Sequence, residues 1–95
     1  MATRRGKPKA SAGRAVRAGR LSRRFKEEAK ELGRRIRAVR EGKGLTLEAA
    51  AERMEMDWSH LAKIEAGTIN VTLGTMVRIA DGLEEPVSTL FPVRS

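Results

Sequence analysis

Apolar residues take up a helical period only from about residue 22 onward. Phe25, Ala29, Leu32, Ile36 and Val39 recur at steps of three and four, which puts them on one face of a helix. Glu27, Glu28 and Glu31 precede Arg34, Arg35, Arg37 and Arg40, a charge order that suits the helix macrodipole. Gly42 and Gly44 interrupt the pattern, so the spacing predicts a first helix over about 23 to 42. Thr46 is a good N-cap with Glu48 in the turn behind it, and Leu47, Ala50, Ala51 and Met54 carry a second helix to about residue 54. Asp57 caps a third, with Leu61 and Ile64 as its buried side and Gly67 as the residue that ends it with a positive φ. After the connector "TINV", Thr72 caps a fourth helix carrying Leu73, Met76, Val77, Ile79, Ala80 and Leu83. "EEP" breaks it, and Pro86 opens a short fifth helix holding Val87, Leu90 and Phe91. Met54, Met56 and Met76 read as core filler. The expected fold class is all-α with five helices and no strand.

The stretch before this pattern is of another kind. "MATRRGKPKASAGRAVRAGR" has almost no large apolar residue and cannot bury enough surface to offset the entropy of ordering it. Residues 1–21 are therefore expected to be a disordered basic arm, and residues 22–95 the folded domain. Residues 1–26 contain ten Lys or Arg and no acid, while the other ten bases face all twelve acids. The positive charge is thus concentrated at the N-terminal end and leaves the rest of the chain near neutral, so the arm is an electrostatic footprint for nucleic acid or another polyanion. A solubilising tail or an Arg-rich transit peptide has similar composition; the complete lack of acid favours an arm that touches DNA.

Several chemistries are excluded by what the chain lacks. Its 95 residues hold one small domain, with no cysteine and one histidine, so neither a disulfide framework nor an all-histidine metal site can form. No apolar run is long enough to span a membrane. Gly42-Lys43-Gly44 lacks the remaining spacing of a phosphate loop, and no nucleophile, base and orienting acid stand together. We expect no catalysis, no cofactor, no metal and no membrane partner.

The second and third helices are separated only by Glu55-Met56-Asp57. Two short helices so joined, inside a small helical bundle, form the helix-turn-helix pattern. In that arrangement the second helix packs across the third and leaves its outer face free to enter a DNA major groove. The outer face here carries Trp58, Ser59, His60, Ala62 and Lys63, which is neither a core stripe nor a plain charged surface. Plainer readings stand beside this one: Trp58 as cover for a hydrophobic seam, Lys63 as a solvated lysine, Asn70 as a turn residue bonded to its own backbone.

Five segments in order, "LGRRIRAVREGKGLT", "LEAAAERM", "HLAKIEAG", "NVTLGTMVRIADGL" and "LF", carry a resemblance to the lambda-repressor-like (Cro-type) helix-turn-helix family of bacterial and phage regulators. It covers about sixty residues, and the fourth segment is similar to restriction–modification controller proteins. The resemblance implies a five-helix domain that binds double-stranded DNA, as a homodimeric repressor or autoregulator acting in the bacterial cytoplasm at the nucleoid. It places base reading on Trp58, Ser59, Ala62 and Lys63, with His60 beside them. It places phosphate contacts at Thr46 and Leu47, at Asn70 to Thr72, and at Lys43. It pairs Arg40 with Glu65 as a structural link, and puts a dimer surface at Glu85, Pro86, Val87 and Phe91. Two other uses of such a domain are an antitoxin that binds a toxin as well as its promoter, and a protein-interaction module without DNA binding. Three positions depart from the family pattern: Leu47 stands where many relatives have Gln, and Glu55 and Glu84 where glycine is frequent. A left-handed backbone at Glu55 would cost about 1 kcal/mol.

Overall fold

The computed structural model describes residues 23–91, which are helical and turn throughout. Helix α1 covers 23–42, α2 is Leu47–Arg53, α3 is Trp58–Ala66 and α4 is Leu73–Leu83, followed by a single 3-10 turn, Val87–Leu90. The expected arm at 1–21, and the outermost residues of the expected domain, lie outside the described residues. Ile36, Met54, Leu61, Ile64, Ile79, Leu83 and Leu90 are almost wholly withdrawn from water. α1, α3, α4 and the 3-10 turn each supply at least one of them and Met54 caps the end of α2, so no helix buries its apolar stripe alone and the core forms only when all have assembled. α2 packs on both α3 and α4, and α4 carries the 3-10 turn.

The fifth helix of the sequence reading is a correction. Val87–Leu90 closes i→i+3 bonds, Thr89 N to Pro86 O at 2.9 Å and Phe91 N to Ser88 O at 3.2 Å. Four residues are too few to nucleate an α-helix, and the tighter 3-10 turn suffices to drive Leu90 into the core. Three apolar residues read as core also lie outside it. Phe25, near the start of α1, is 40% exposed and lines a surface depression with Leu32, Ile69, Met76 and Phe91, and Leu73 and Val77 are exposed on α4, Leu73 at 66%.

Local chemistry explains the boundaries. Thr46 Oγ1 accepts from Ala49 N and Thr72 Oγ1 from Thr75 N, both at 3.1 Å, so each threonine caps the first turn of its helix. Asp57 occupies the N-cap of α3 with an extended backbone, but its carboxylate makes no capping bond and instead accepts from the Ser59 hydroxyl. α3 ends at Gly67, φ 73°, where Thr68 N donates back to Lys63 O at 3.1 Å. Gly67 has a second reason to be glycine, since a Cβ there would run into the backbone of Lys30 in α1. Gly33 does the same from the other side: a methyl there would overlap the carbonyl oxygens of Ile64 and Glu65. α1 therefore crosses the end of α3 at backbone contact distance.

Two non-glycine residues take a left-handed backbone, Glu55 at φ 56° in the turn between α2 and α3, and Glu84 at φ 58° after α4. Each carries the side-chain penalty of that region, offset in part by the greater unfolded-state freedom of the glycine it replaces. Glu84→Gly is expected to stabilise the domain by about 0.5–1 kcal/mol and raise its Tm by a few degrees. Gly33→Ala is expected to destabilise it by about 2 kcal/mol through overpacking against α3. Urea and thermal unfolding followed by circular dichroism measure both.

Candidate nucleic-acid interface

α3 is held in place from behind by side chains it does not share with its outer face. Leu61 and Ile64 are buried, and so is the guanidinium of Arg40 on α1, which meets Glu65 in a two-point pair. Arg40 Nε donates to Glu65 Oε2 at 2.7 Å and Nη2 to Oε1 at 3.0 Å, while Nη1 donates to the Leu45 carbonyl at 2.9 Å. Both side chains are about nine-tenths buried, at 10% and 8% exposed. The bonds to Glu65 raise the Arg40 pKa above its ordinary value against the opposing effect of burial, so the guanidinium stays charged at every accessible pH. One side chain thus ties α1, the turn after it and α3 together.

With that anchoring, the opposite face of α3 is left to the solvent. Trp58 is 51% exposed, His60 and Lys63 are exposed, and Ser59 and Ala62 are half-buried. All five stand in the first two turns of α3, and Ala62 shares a depression with Leu47 at the start of α2. Ser59 is partly committed, because its hydroxyl donates to Asp57. Thr46 is exposed and caps α2, whereas Leu47 is half-buried and packs against the core. Asn70 and Thr72 are exposed ahead of α4, with the Thr72 hydroxyl donating to Thr75 Oγ1 at 3.0 Å as well as capping.

Lys43 does not join this group. Its ammonium pairs with Glu85 at 2.9 Å, and the Thr89 hydroxyl also donates to Glu85 at 3.2 Å. Lys43 is the main reason the Glu85 carboxyl is held below its ordinary pKa. A residue read as a phosphate contact and one read as a dimer contact therefore meet each other. Of the other three dimer candidates, Val87 is half-buried against the core, while Pro86 and Phe91 are exposed.

Arg37 was not singled out from the sequence and lies where it matters. It is exposed on α1, bonds Glu41 at 3.0 Å, and with Leu47 and Ala62 walls a depression beside the α3 face. Its position three residues before Arg40 is the signal, since i and i+3 share a helix face.

Charge is divided unevenly. Residues 45–67, which contain α2, the turn and α3, hold five acids and two bases, whereas residues 23–42 hold eight bases and four acids. Summed over the described residues, twelve bases meet twelve acids, so the whole net charge of +8 lies outside them. Among the described residues no helix is long and apolar enough to cross a membrane.

Comparison with known proteins agrees with this geometry. A helix-turn-helix domain family matches residues 31–90. Among solved structures, the chain is similar to the restriction–modification controller protein C.AhdI from Aeromonas hydrophila. The TM-score is 0.67 and the identity 31%, over 68% of this chain and 98% of the controller. The DNA-binding domain of BldD is 34% identical with a TM-score of 0.63, over 70% of this chain and 96% of that one. An HTH_3 family transcriptional regulator from Vibrio cholerae is 27% identical with a TM-score of 0.67, over 70% of this chain but 37% of the regulator. No curated protein sequence matches the chain closely enough to count as a relative.

Removing one member of the Arg40–Glu65 pair leaves a buried charge without a partner. Arg40→Ala is expected to destabilise the domain by about 3 kcal/mol, and Glu65→Ala by a similar amount. The double variant should lose clearly less than the two losses added together. Chemical denaturation of all four proteins checks this, and strict additivity would show that the pair acts only through packing.

Proposed function

The chain belongs to the Cro- and lambda-repressor-like helix-turn-helix family, and from that premise we propose that it is a transcriptional regulator that binds double-stranded DNA. A homodimer inserts α3 of each subunit into the major groove, with half-sites about one helical turn apart. The observation that carries this reading is the exposure pattern of α3: Leu61, Ile64 and the Arg40-bound Glu65 side chain are buried, and Trp58, His60 and Lys63 are exposed. Lys63 has the reach for a guanine edge or a phosphate, and Trp58 for a thymine methyl or a sugar. Thr46, Asn70 and Thr72 stand where backbone N–H groups of two helix starts can meet phosphates. Pro86 and Phe91 are the exposed members of the proposed dimer surface.

The finer form of the reading is a controller that regulates its own promoter as its concentration rises. Near-complete coverage of the Aeromonas hydrophila controller supports it. No catalytic step is involved. A protein-interaction role has one observation in its favour, the apolar exposure of Leu73 and Val77 on α4.

The domain is electrically neutral, so long-range attraction to DNA falls to residues 1–22, which hold seven bases and no acid. Selection from random duplexes by the full chain and by a chain lacking residues 1–21 is expected to enrich the same two-fold motif. The full chain should lose about 10³-fold or more in affinity between 50 and 200 mM salt, and the shortened chain much less. A domain that enriches no motif would overturn the regulator reading in favour of a protein partner. Lys63→Ala is expected to relax one base position of the motif; uniform weakening over all sequences would make Lys63 a phosphate contact instead.

A further inference from the structure

Between α1, the start of α2 and the second turn of α3 the surface opens into a depression of about 300 Å³, walled by Arg37, Arg40, Leu47, Ala62, Glu65 and Ala66. Its charged members are engaged: Arg40 with Glu65 and the Leu45 carbonyl, Arg37 with Glu41. The Arg37 side chain stays largely exposed beside it, and the apolar part of the lining is Leu47, Ala62 and Ala66. Leu47 is supported from beneath by the core and is half-buried before anything binds, so it presents a firm surface and not a loose chain. Ala62 stands one turn after Trp58 on the face assigned above to the major groove, and the depression is continuous with that face.

Resting on the major-groove reading, we propose that Leu47 is a specificity-determining residue. With Ala62 it forms an apolar seat for the C5-methyl group of one thymine in each half-site. Leu47 has neither donor nor acceptor, so a base edge pressed against it would lose its bonds to water and gain none. The base-pair edges in the major groove offer one group that gains from such a seat, the thymine methyl. Cytosine at that position lacks the methyl and brings an amino group that the seat cannot satisfy. The position is thus read as thymine by apolar contact, without a direct hydrogen bond from this pair.

The test uses the full chain and the best duplex from random-sequence selection, with each thymine replaced singly by deoxyuridine, which removes only the methyl. One thymine per half-site is expected to show a loss of about fourfold in affinity on that replacement. Leu47→Gln keeps the size of the side chain and its helix preference, and should bind thymine and deoxyuridine at that site equally; Leu47→Met should keep the discrimination. Thermal unfolding confirms that both variants are folded. Discrimination that vanishes in Leu47→Gln alone supports the proposal. A motif whose thymines all tolerate deoxyuridine, or a loss that persists unchanged in Leu47→Gln, overturns it while leaving the regulator reading intact. A wild-type chain that enriches no motif overturns both.

Discussion

Orientation of the outward helix depends on one buried ion pair between residues 25 apart in the chain, Arg40 and Glu65. Taking two charges out of water is costly, and the cost is met here by complete satisfaction: both carboxylate oxygens and all three guanidinium nitrogens have a partner. Such a pair adds little net stability over a well-packed apolar substitute. What it supplies is direction, because a planar fork on a carboxylate fixes angle as well as distance. Glu65 lies less than one turn beyond Ala62 and Lys63, so the rotation of the outward face about the helix axis is set by where Arg40 holds it. The glycine contacts at Gly33 and Gly67 fix the remaining freedom, the depth at which α1 crosses α3.

The same pair shapes the electrostatics. Glu65 is one of five acids in residues 45–67, and Arg40 neutralises it internally. Glu48, Glu52, Glu55 and Asp57 remain exposed beside the proposed reading face, against Arg53 and Lys63. The helix-turn-helix unit therefore does not attract a polyanion by its own charge. Attraction at range comes from the residues before α1, and is screened by salt over about 8–10 Å. Contacts on α3 act only at short range. Long-range capture and short-range discrimination are thus assigned to different parts of the chain.

Much of this was legible in the residues themselves. A period of 3.6 located Ile36, Leu61, Ile64, Ile79 and Leu83, and threonine before an apolar run located the caps of α2 and α4. Partnership across the fold was not legible. Lys43 reaches Glu85 because the turn after α1 packs beside the segment after α4, and no local pattern encodes that meeting. Periodicity also cannot say how completely a neighbour covers an apolar position, which is why Phe25 and Leu73 share an apolar spacing and yet stay exposed. At Asp57 two local rules competed for one carboxylate. A cap of the helix backbone and a bond from Ser59 were both available, and the hydroxyl two residues on prevailed.

The left-handed glutamates show how local strain and a distant contact are linked. At Glu84 the reversed backbone lets its N–H bond Asp81 O at 3.0 Å and lets Glu85 N reach back to Ala80 O at 2.9 Å, closing the end of α4. That closure turns Glu85 toward Lys43 and Thr89, so a strained residue sets the position of an ion pair between the turn after α1 and the segment after α4. Glycine at 84 would relax the backbone but broaden the states open to the unfolded chain and remove a charge from the surface. Because the Glu85 pKa is depressed by its cation, this link is complete above the ordinary carboxylate range and weakens as pH falls through the lowered value. The buried Arg40–Glu65 pair sits at the other end of the same turn, sheltered from the salt that screens its exposed counterpart. Of the two links that hold this turn, the outer one answers to solution conditions and the inner one keeps α3 where it is.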